Sequence, residues 1–131
     1  MVSFGLARTA LAFDPAKGPL HAEHFQMAYA TNDIERAKRL FGERLGVREW
    51  KQLAGPLPSG GQIHVELAWV GSIMYELITA TGEGSALYMD RLPQTQSFHV
   101  KHHHLGYLIR SQAEWEALLA GAERHGWPLV H

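Results

Sequence analysis

The sequence predicts an α+β fold in which a βαβββ module is followed by a second, incomplete βαβ module. Two observations carry this prediction. Segments that alternate between apolar and polar residues are separated by two amphipathic helical segments, and the first strand–helix unit recurs later in the chain. We expect the strands to form one curved, mixed sheet with the helices on its convex side. The 131 residues are enough for a single hydrophobic core.

Module one is predicted over residues 23–80. Alternation in HFQMAYAT (24–31) predicts its first strand, and Asn32 with Glu35 forms a capping box for a helix that ends at Gly46. The apolar residues of that helix recur at helical spacing: Ile34, Ala37, Leu40, Phe41 and Leu45. Three more strands are predicted at 47–53, 62–70 and 73–80, with a Pro- and Gly-rich loop at 54–61.

A partial module two is predicted over residues 102–131, after an irregular connector (81–101) with one helical turn in SALYMDRL. HHLGYLI (103–109) is a predicted strand, Ser111 and Glu114 form a second capping box, and WPLVH starts a last strand. The helix between them ends at Gly126 and has one apolar stripe: Trp115, Leu118, Leu119 and Ala122. Residues 1–22 lack a clear period and are predicted to be an arm. The large aromatic residues assigned to the core are Phe41, Trp50, Trp69 and Trp115.

Composition excludes several classes of function. The net charge is −1 with both signs mixed along the chain, so no basic face favours nucleic acid. No apolar stretch approaches the roughly 18 residues that span a bilayer. The chain has no cysteine, which excludes disulfides, thiolate nucleophiles and zinc fingers and favours a cytoplasmic location.

Three residues stand out as candidates for a site in a cleft. The two strand–helix units align without a gap over QMAYATNDIERAKRLF and HLGYLIRSQAEWEALL. In this alignment Gln26 corresponds to His104. Each has small neighbours on its own strand face (Ala28 beside Gln26, Gly106 beside His104), and these leave room above the side chain. Glu76 lies between apolar neighbours on its face, where a carboxylate is costly unless it is paired or bound to metal.

These features resemble the glyoxalase/bleomycin-resistance/dioxygenase (vicinal oxygen chelate) superfamily. The first βα unit of that family is similar to FQMAYATNDIERAKRLFGERLGV, and the second is similar to HHLGYLIRSQAEWEALLAGAERHGWPLV. The tripeptide YEL lies between the two segments. The resemblance covers about residues 23–131. It implies two paired modules whose first and last strands project metal ligands into a shared cleft.

The resemblance implies that Gln26, Glu76 and His104 are metal ligands and that Glu76 is the catalytic base. The fourth ligand of the family, a Glu on the last strand of module two, has no counterpart before His131. The implied cofactor is one divalent ion, and an N/O donor set does not choose among Zn²⁺, Ni²⁺, Co²⁺, Mn²⁺ and Fe²⁺. The ion would stabilise the enediolate of a small carbonyl substrate that chelates it through vicinal oxygens.

Three further histidines are candidates for supporting the ligands or contacting substrate: His24, His64 and His102. Strand alternation places His24 with Gln26 and His102 with His104, and it turns His103 to the other face. The positions that anchor glutathione in glyoxalase I, an Arg and an Asn, match Ala30 and Ala80, so an epimerase, isomerase or lyase acting on another carbonyl compound is favoured.

Three alternatives remain open at this point. A relative that sequesters an antibiotic would use the cleft without metal, an extradiol dioxygenase would need a histidine in place of Gln26, and a truncated family member would be inactive. The incomplete second module leaves a strand edge exposed, which predicts a homodimer.

Overall fold

The computed structural model describes residues 12–130. These residues form five strands and three α-helices, which confirms the predicted α+β fold. The strands are β1 (Glu23–Thr31), β2 (Lys51–Pro56), β3 (Gln62–Val70), β4 (Ile73–Thr81) and β5 (Val100–Leu108). The helices are α1 (Ile34–Leu45), α2 (Ala86–Met89) and α3 (Gln112–His125), and a 3-10 helix spans Pro15–Lys17. None of the helices in the described part of the chain is long and apolar enough to cross a membrane.

The sheet is mixed and has the strand order β2-β3-β4-β1-β5. Strands β2, β3 and β4 are antiparallel neighbours, whereas β1 lies parallel to β4 with Ala28 opposite Glu76. This parallel pairing requires a crossover between β1 and the hairpin, and α1 lies in that crossover. The order brings β4, β1 and β5 side by side although they are far apart in the sequence.

The two faces of the sheet carry separate apolar clusters. On the face that we call the α1 face, Ile34, Ala37 and Phe41 of α1 pack with Ala68 and Leu77. On the opposite face, which we call the α2 face, Ala28, Val65 and Ile78 are buried, and Tyr88 of α2 packs against them. Even-numbered residues of β1 and β4 therefore point to the α2 face, as alternation predicts.

The ends of both long helices follow the predicted signals with one exception. Gly46 and Gly126 are left-handed C-caps, and Ser111 accepts a hydrogen bond from the backbone N–H of Glu114, as predicted. The predicted N-cap Asn32 is wrong, because Asp33 accepts from the backbone N–H of Arg36 instead. Asn32 accepts from the backbone N–H of His99 and donates to a backbone carbonyl.

The chain divides into two compact units, of which one spans Phe25–Gly106. The other joins the residues before this range to those after it. In this second unit α3 packs on the 3-10 helix so closely that a Cβ at Gly121 would lie 3.0 Å from the carbonyl oxygen of Ala16. The ring of Trp127 stacks on His125 and lies against Gly18. The module boundaries predicted from the sequence stay predictions.

Several predicted elements differ in the structure. Strand β2 starts at Lys51 and takes in part of the predicted loop 54–61, β5 starts at Val100, and Trp127–Val130 form no strand. Residues 1–11 of the predicted arm and His131 lie outside the described residues. Three residues expected in the core are exposed because no helix or strand within residues 12–130 covers them: Leu45 (61%), Trp69 (65%) and Trp115 (45%).

Candidate metal centre

Three neighbouring strands bring the predicted ligands together at one carboxylate. Gln26 Nε2 of β1 donates a hydrogen bond to Glu76 Oε2 of β4 at 2.7 Å. Nε2 of His104, on β5, lies 3.6 Å from the same oxygen. Residues from distant parts of the sequence thus converge on the α2 face because β1 lies between β4 and β5.

The carboxylate of Glu76 lies in an apolar setting. Its strand neighbours in the register are Leu67 on β3 and Ala28 on β1, and its side chain is 14% exposed. Burial raises the pKa of Glu76 above its usual value, since desolvation disfavours the charged form. Within the described residues, the basic side chain beside Glu76 is His104, which pairs with it as an ion only when protonated, and no lysine or arginine forms an ion pair with this carboxylate. A cation bound beside this carboxylate would offset the cost of its desolvation.

Gly106 makes room for Gln26. A Cβ built at Gly106 would lie 2.6 Å from Gln26 Cβ and 2.7 Å from its Oε1, closer than real Cβ contacts. The side chain of Phe25 lies 3.3 Å from the same point. Only glycine at this position lets Gln26 rest over β5 with its amide beside Glu76.

Gly106→Ala is expected to destabilise the protein by about 1–3 kcal/mol, because the added methyl must displace Gln26 from Glu76. Urea denaturation of the purified variant measures this cost. Gly55→Ala in β2 is the matched control, since a Cβ there meets nothing within 4 Å. Equal stability of the Gly106→Ala and Gly55→Ala variants would contradict the close packing described here.

Strand β5 breaks its alternation at His103. Val100 packs with the cluster on the α1 face, and the ring of His102 lies edge-on to Tyr29 of that cluster, 5.7 Å between centroids. The ring of His103, by contrast, lies 5.7 Å from Tyr88 on the α2 face, where His104 also reaches Glu76. Two successive side chains on one face are the mark of a β-bulge.

The bulge overturns two expectations about the histidine triplet. His102 does not share the face of His104, because the extra residue shifts the period-two pattern between them. His103 does not face away either: its Nδ1 lies 2.8 Å from Nδ1 of His104. Sequence reasoning therefore missed His103, and nothing in the run of three histidines marks which residue is the extra one.

The surroundings of His104 favour the neutral form of its imidazole. Burial is the main cause that lowers its pKa, and repulsion from a charged His103 and a charged His102 adds to it. A histidine binds a metal through an unprotonated nitrogen. The lowered pKa of His104 therefore favours the form of the imidazole that can act as a ligand.

Of the other two candidate histidines, His64 lies away from Glu76. His64 Nε2 lies 3.1 Å from Glu66 Oε1, beside Leu77 on the α1 face, so the expectation that His64 could reach the cleft is wrong. It fails because β3 turns its even-numbered residues to α1. The ring of His24 lies 5.3 Å from that of Tyr107. A role for His24 stays a prediction.

The donor set is suited to a divalent cation. Among residues 12–130 no group of three or more His, Cys, Asp and Glu side chains is placed to hold a metal ion, so an ion at Glu76 and His104 would need the amide of Gln26 as its third donor. Gln26 can ligate only through Oε1, whereas Nε2 faces Glu76 in the structure. The ends of a Gln amide are assigned from its hydrogen bonds, so turning it brings the oxygen to the site. With that turn, the three residues fit as ligands.

Comparison with known proteins gives a match that covers most of the chain. The family model described as the Glyoxalase/Bleomycin resistance protein/Dioxygenase superfamily matches residues 25–131. Among solved structures, a methylmalonyl-CoA epimerase is similar with a TM-score of 0.47 and 17% sequence identity, over 79% of this chain and 70% of that chain. The comparison with curated proteins gives no match.

Proposed function

Because the chain belongs to the glyoxalase/bleomycin resistance protein/dioxygenase superfamily, we propose that it is a metal-dependent enzyme that acts on a small carbonyl compound. Gln26, Glu76 and His104 are the proposed ligands. The observation that supports this most is the approach of Gln26 Nε2 and His104 Nε2 to one oxygen of the largely buried Glu76 carboxylate. Zn²⁺, Ni²⁺, Co²⁺, Mn²⁺ and Fe²⁺ all accept such donors.

The proposed reaction is proton transfer beside a carbonyl group, as in an isomerase, epimerase or lyase. A divalent cation, when bound, supplies Lewis acidity that stabilises the negative charge of an enediolate. Glu76 is the proposed general base: its carboxylate takes the proton from the carbon next to the carbonyl and returns it to that carbon or to its neighbour. Burial makes the Glu76 carboxylate a stronger base, which suits this role.

The proposed substrate is not a glutathione conjugate. Ala30 and Ala80 stand where the resemblance would require the polar anchors of glutathione, and both methyl groups are buried. Neither residue can donate a hydrogen bond from its side chain. A small compound with two vicinal oxygens, such as an α-hydroxy ketone or a 2-oxo acid, fits this surface better.

The expected assembly is a homodimer in the cytoplasm. Strand β5 is an outer strand of the sheet in the described part of the chain, and Leu105 on it is 44% exposed. An open edge of this kind favours pairing with another strand.

Metal binding tests the proposal directly. We expect the chelator-treated protein to bind one divalent ion per chain in calorimetric titrations with each of the five metals. Gln26→Ala, Glu76→Ala and His104→Ala should each weaken binding by about 100-fold or more, since loss of even a supporting residue costs 10–100-fold. His125→Ala is the control, because this exposed histidine stacks on Trp127.

Proton exchange then tests the reaction. The metal-loaded protein should incorporate deuterium from D₂O into the position next to a carbonyl in a panel of vicinal-oxygen compounds, and Glu76→Gln should not. A protein that binds none of the five metals would contradict the enzyme and favour the alternative of a metal-free cleft that sequesters small molecules.

A further inference from the structure

Two hydrogen bonds connect His104 to the backbone of α2. His103 Nε2 lies 2.8 Å from the carbonyl oxygen of Leu87, and His103 Nδ1 lies 2.8 Å from His104 Nδ1. The two rings meet almost at right angles, with an interplanar angle of 83°. The contact exists because the bulge in β5 puts both side chains on the α2 face.

The positions of the protons in these two hydrogen bonds follow from the Leu87 carbonyl. A carbonyl oxygen only accepts, so His103 must carry its proton on Nε2. A neutral imidazole has one N–H, which leaves Nδ1 of His103 as the acceptor. His104 must then donate from its own Nδ1. Its Nε2 is left without a proton, and this nitrogen lies 3.6 Å from Glu76 Oε2.

We propose that His103 is a positioning residue that uses the Leu87 carbonyl to fix His104 in the Nδ1–H tautomer, with the lone pair of Nε2 left on the side of Glu76. The inference rests on the proposed function, because only a metal ligand needs that lone pair. Metal-ligating histidines generally donate their other N–H to a fixed acceptor. Here the acceptor is a second histidine rather than a carboxylate or a backbone carbonyl.

The same two hydrogen bonds link the proposed metal affinity to a backbone segment outside the ligand set. The Leu87 carbonyl belongs to α2, which is only four residues long. Residue 87 acts through its backbone, so its side chain can vary without loss of the hydrogen bond. His103, by contrast, contributes through its ring nitrogens, and a replacement must supply an acceptor at the position of Nδ1.

Nitrogen NMR of histidine-labelled protein tests the tautomer without metal. At about pH 8, where an ordinary histidine is neutral, we expect His104 to show a protonated Nδ1 and an unprotonated Nε2. In His103→Leu, which removes the acceptor, the Nε2–H form should appear. His103→Asn retains an acceptor oxygen near Nδ1 and should restore the wild-type tautomer.

Co²⁺ or Zn²⁺ titration of the same proteins provides the second measurement. His103→Leu should bind about 10–100-fold more weakly than wild type, and His103→Asn should recover most of the affinity. His21→Leu, at an exposed histidine, is the control for loss of a surface histidine.

The outcomes separate this inference from the proposed function. An Nε2–H tautomer of His104 in the wild-type protein, or wild-type affinity in His103→Leu, would overturn the role of His103 even if the metal binds. A wild-type protein that binds no metal would overturn the proposed function and this role with it. Since the wild-type spectrum alone reports the tautomer, a variant that fails to fold does not remove the test.

Discussion

Glu76→Gln is expected to abolish tight metal binding and, in the same protein, to raise the stability of the metal-free fold. Glutamine has nearly the shape of glutamate and can still accept the hydrogen bond from Gln26. It carries no charge, so the desolvation that raises the pKa of Glu76 disappears. The loss of an anionic ligand should weaken binding by about 100-fold or more. The two effects have opposite signs because the charge is costly in the fold and useful only with a cation present.

The same substitution should change how stability depends on pH. The folded-state pKa of Glu76 lies above its value in the unfolded chain, so the folded protein holds this proton more tightly. This contribution is fully present below the unfolded pKa and is lost as the pH rises through the folded pKa. His104 has the opposite sign: its lowered pKa stabilises the fold above the ordinary histidine pKa of 6.5, and this contribution is lost as the pH falls through the folded value.

Urea denaturation in the presence of a chelator, from about pH 4.5 to about pH 8, isolates the contribution of Glu76 as the difference between wild type and Glu76→Gln. The variant should gain in relative stability as the pH rises. Glu83→Gln is the control, since this glutamate is exposed and shows no hydrogen bond from its side chain to the site. A Glu76→Gln variant less stable than wild type at neutral pH would contradict the description of Glu76 as a desolvated carboxylate.

Lys38→Met should have the largest effect on stability, a loss of about 3–4 kcal/mol, since a buried carboxylate loses its partner. Lys38 Nζ lies 3.1 Å from Glu66 Oε1, and Glu66 is only 2% exposed. The remaining partner, His64, carries a full charge only when protonated. Removal of the lysine therefore leaves a buried carboxylate without a permanent cation, on the α1 face and away from the proposed ligands.

A double substitution separates the buried charge from the loss of the lysine stem. Lys38→Met with Glu66→Leu removes both charges, and we expect it to recover most of the lost stability, because apolar replacement of a buried ion pair is often neutral. Lys51→Met, at an exposed lysine of β2, should change the stability by less than about 0.5 kcal/mol. Thermal denaturation of wild type, the two lysine variants and the double variant measures these differences. Equal losses in the single and double variants would show that the stem, and not the charge pair, supports α1.

The parts of the fold that sequence patterns predict well are those set by local rules. The hairpin β3–β4 has its predicted turn because Gly71 adopts a positive φ of 62°, which glycine allows. The faces of Gln26 and Glu76 follow from strand alternation, since β1 and β4 are regular and pair in register. The resemblance to a known family added what these residues do, which alternation alone does not provide.

The failures occur where an outcome depends on the rest of the molecule. Trp69 and Trp115 were assigned to the core by size, but burial requires a neighbouring element that covers the ring, and both stay exposed. His102 and His103 were assigned to the wrong faces because a bulge is determined by strand pairing and not by the residue types within it. Asn32 has a residue type that is typical of N-caps, but its side chain accepts a hydrogen bond from the backbone N–H of His99 instead.

The placement of the site on β4, β1 and β5 has a consequence for how the protein folds. Gln26 and Glu76 are 50 residues apart in the sequence, so their contact requires the parallel pairing of β1 with β4. The β3–β4 hairpin closes through a short turn and can form early, whereas pairing across a long loop is slow. A metal ion at the proposed ligands would therefore find no complete site before β1 pairs with β4. An ion that binds only the assembled sheet would slow unfolding more than it speeds folding.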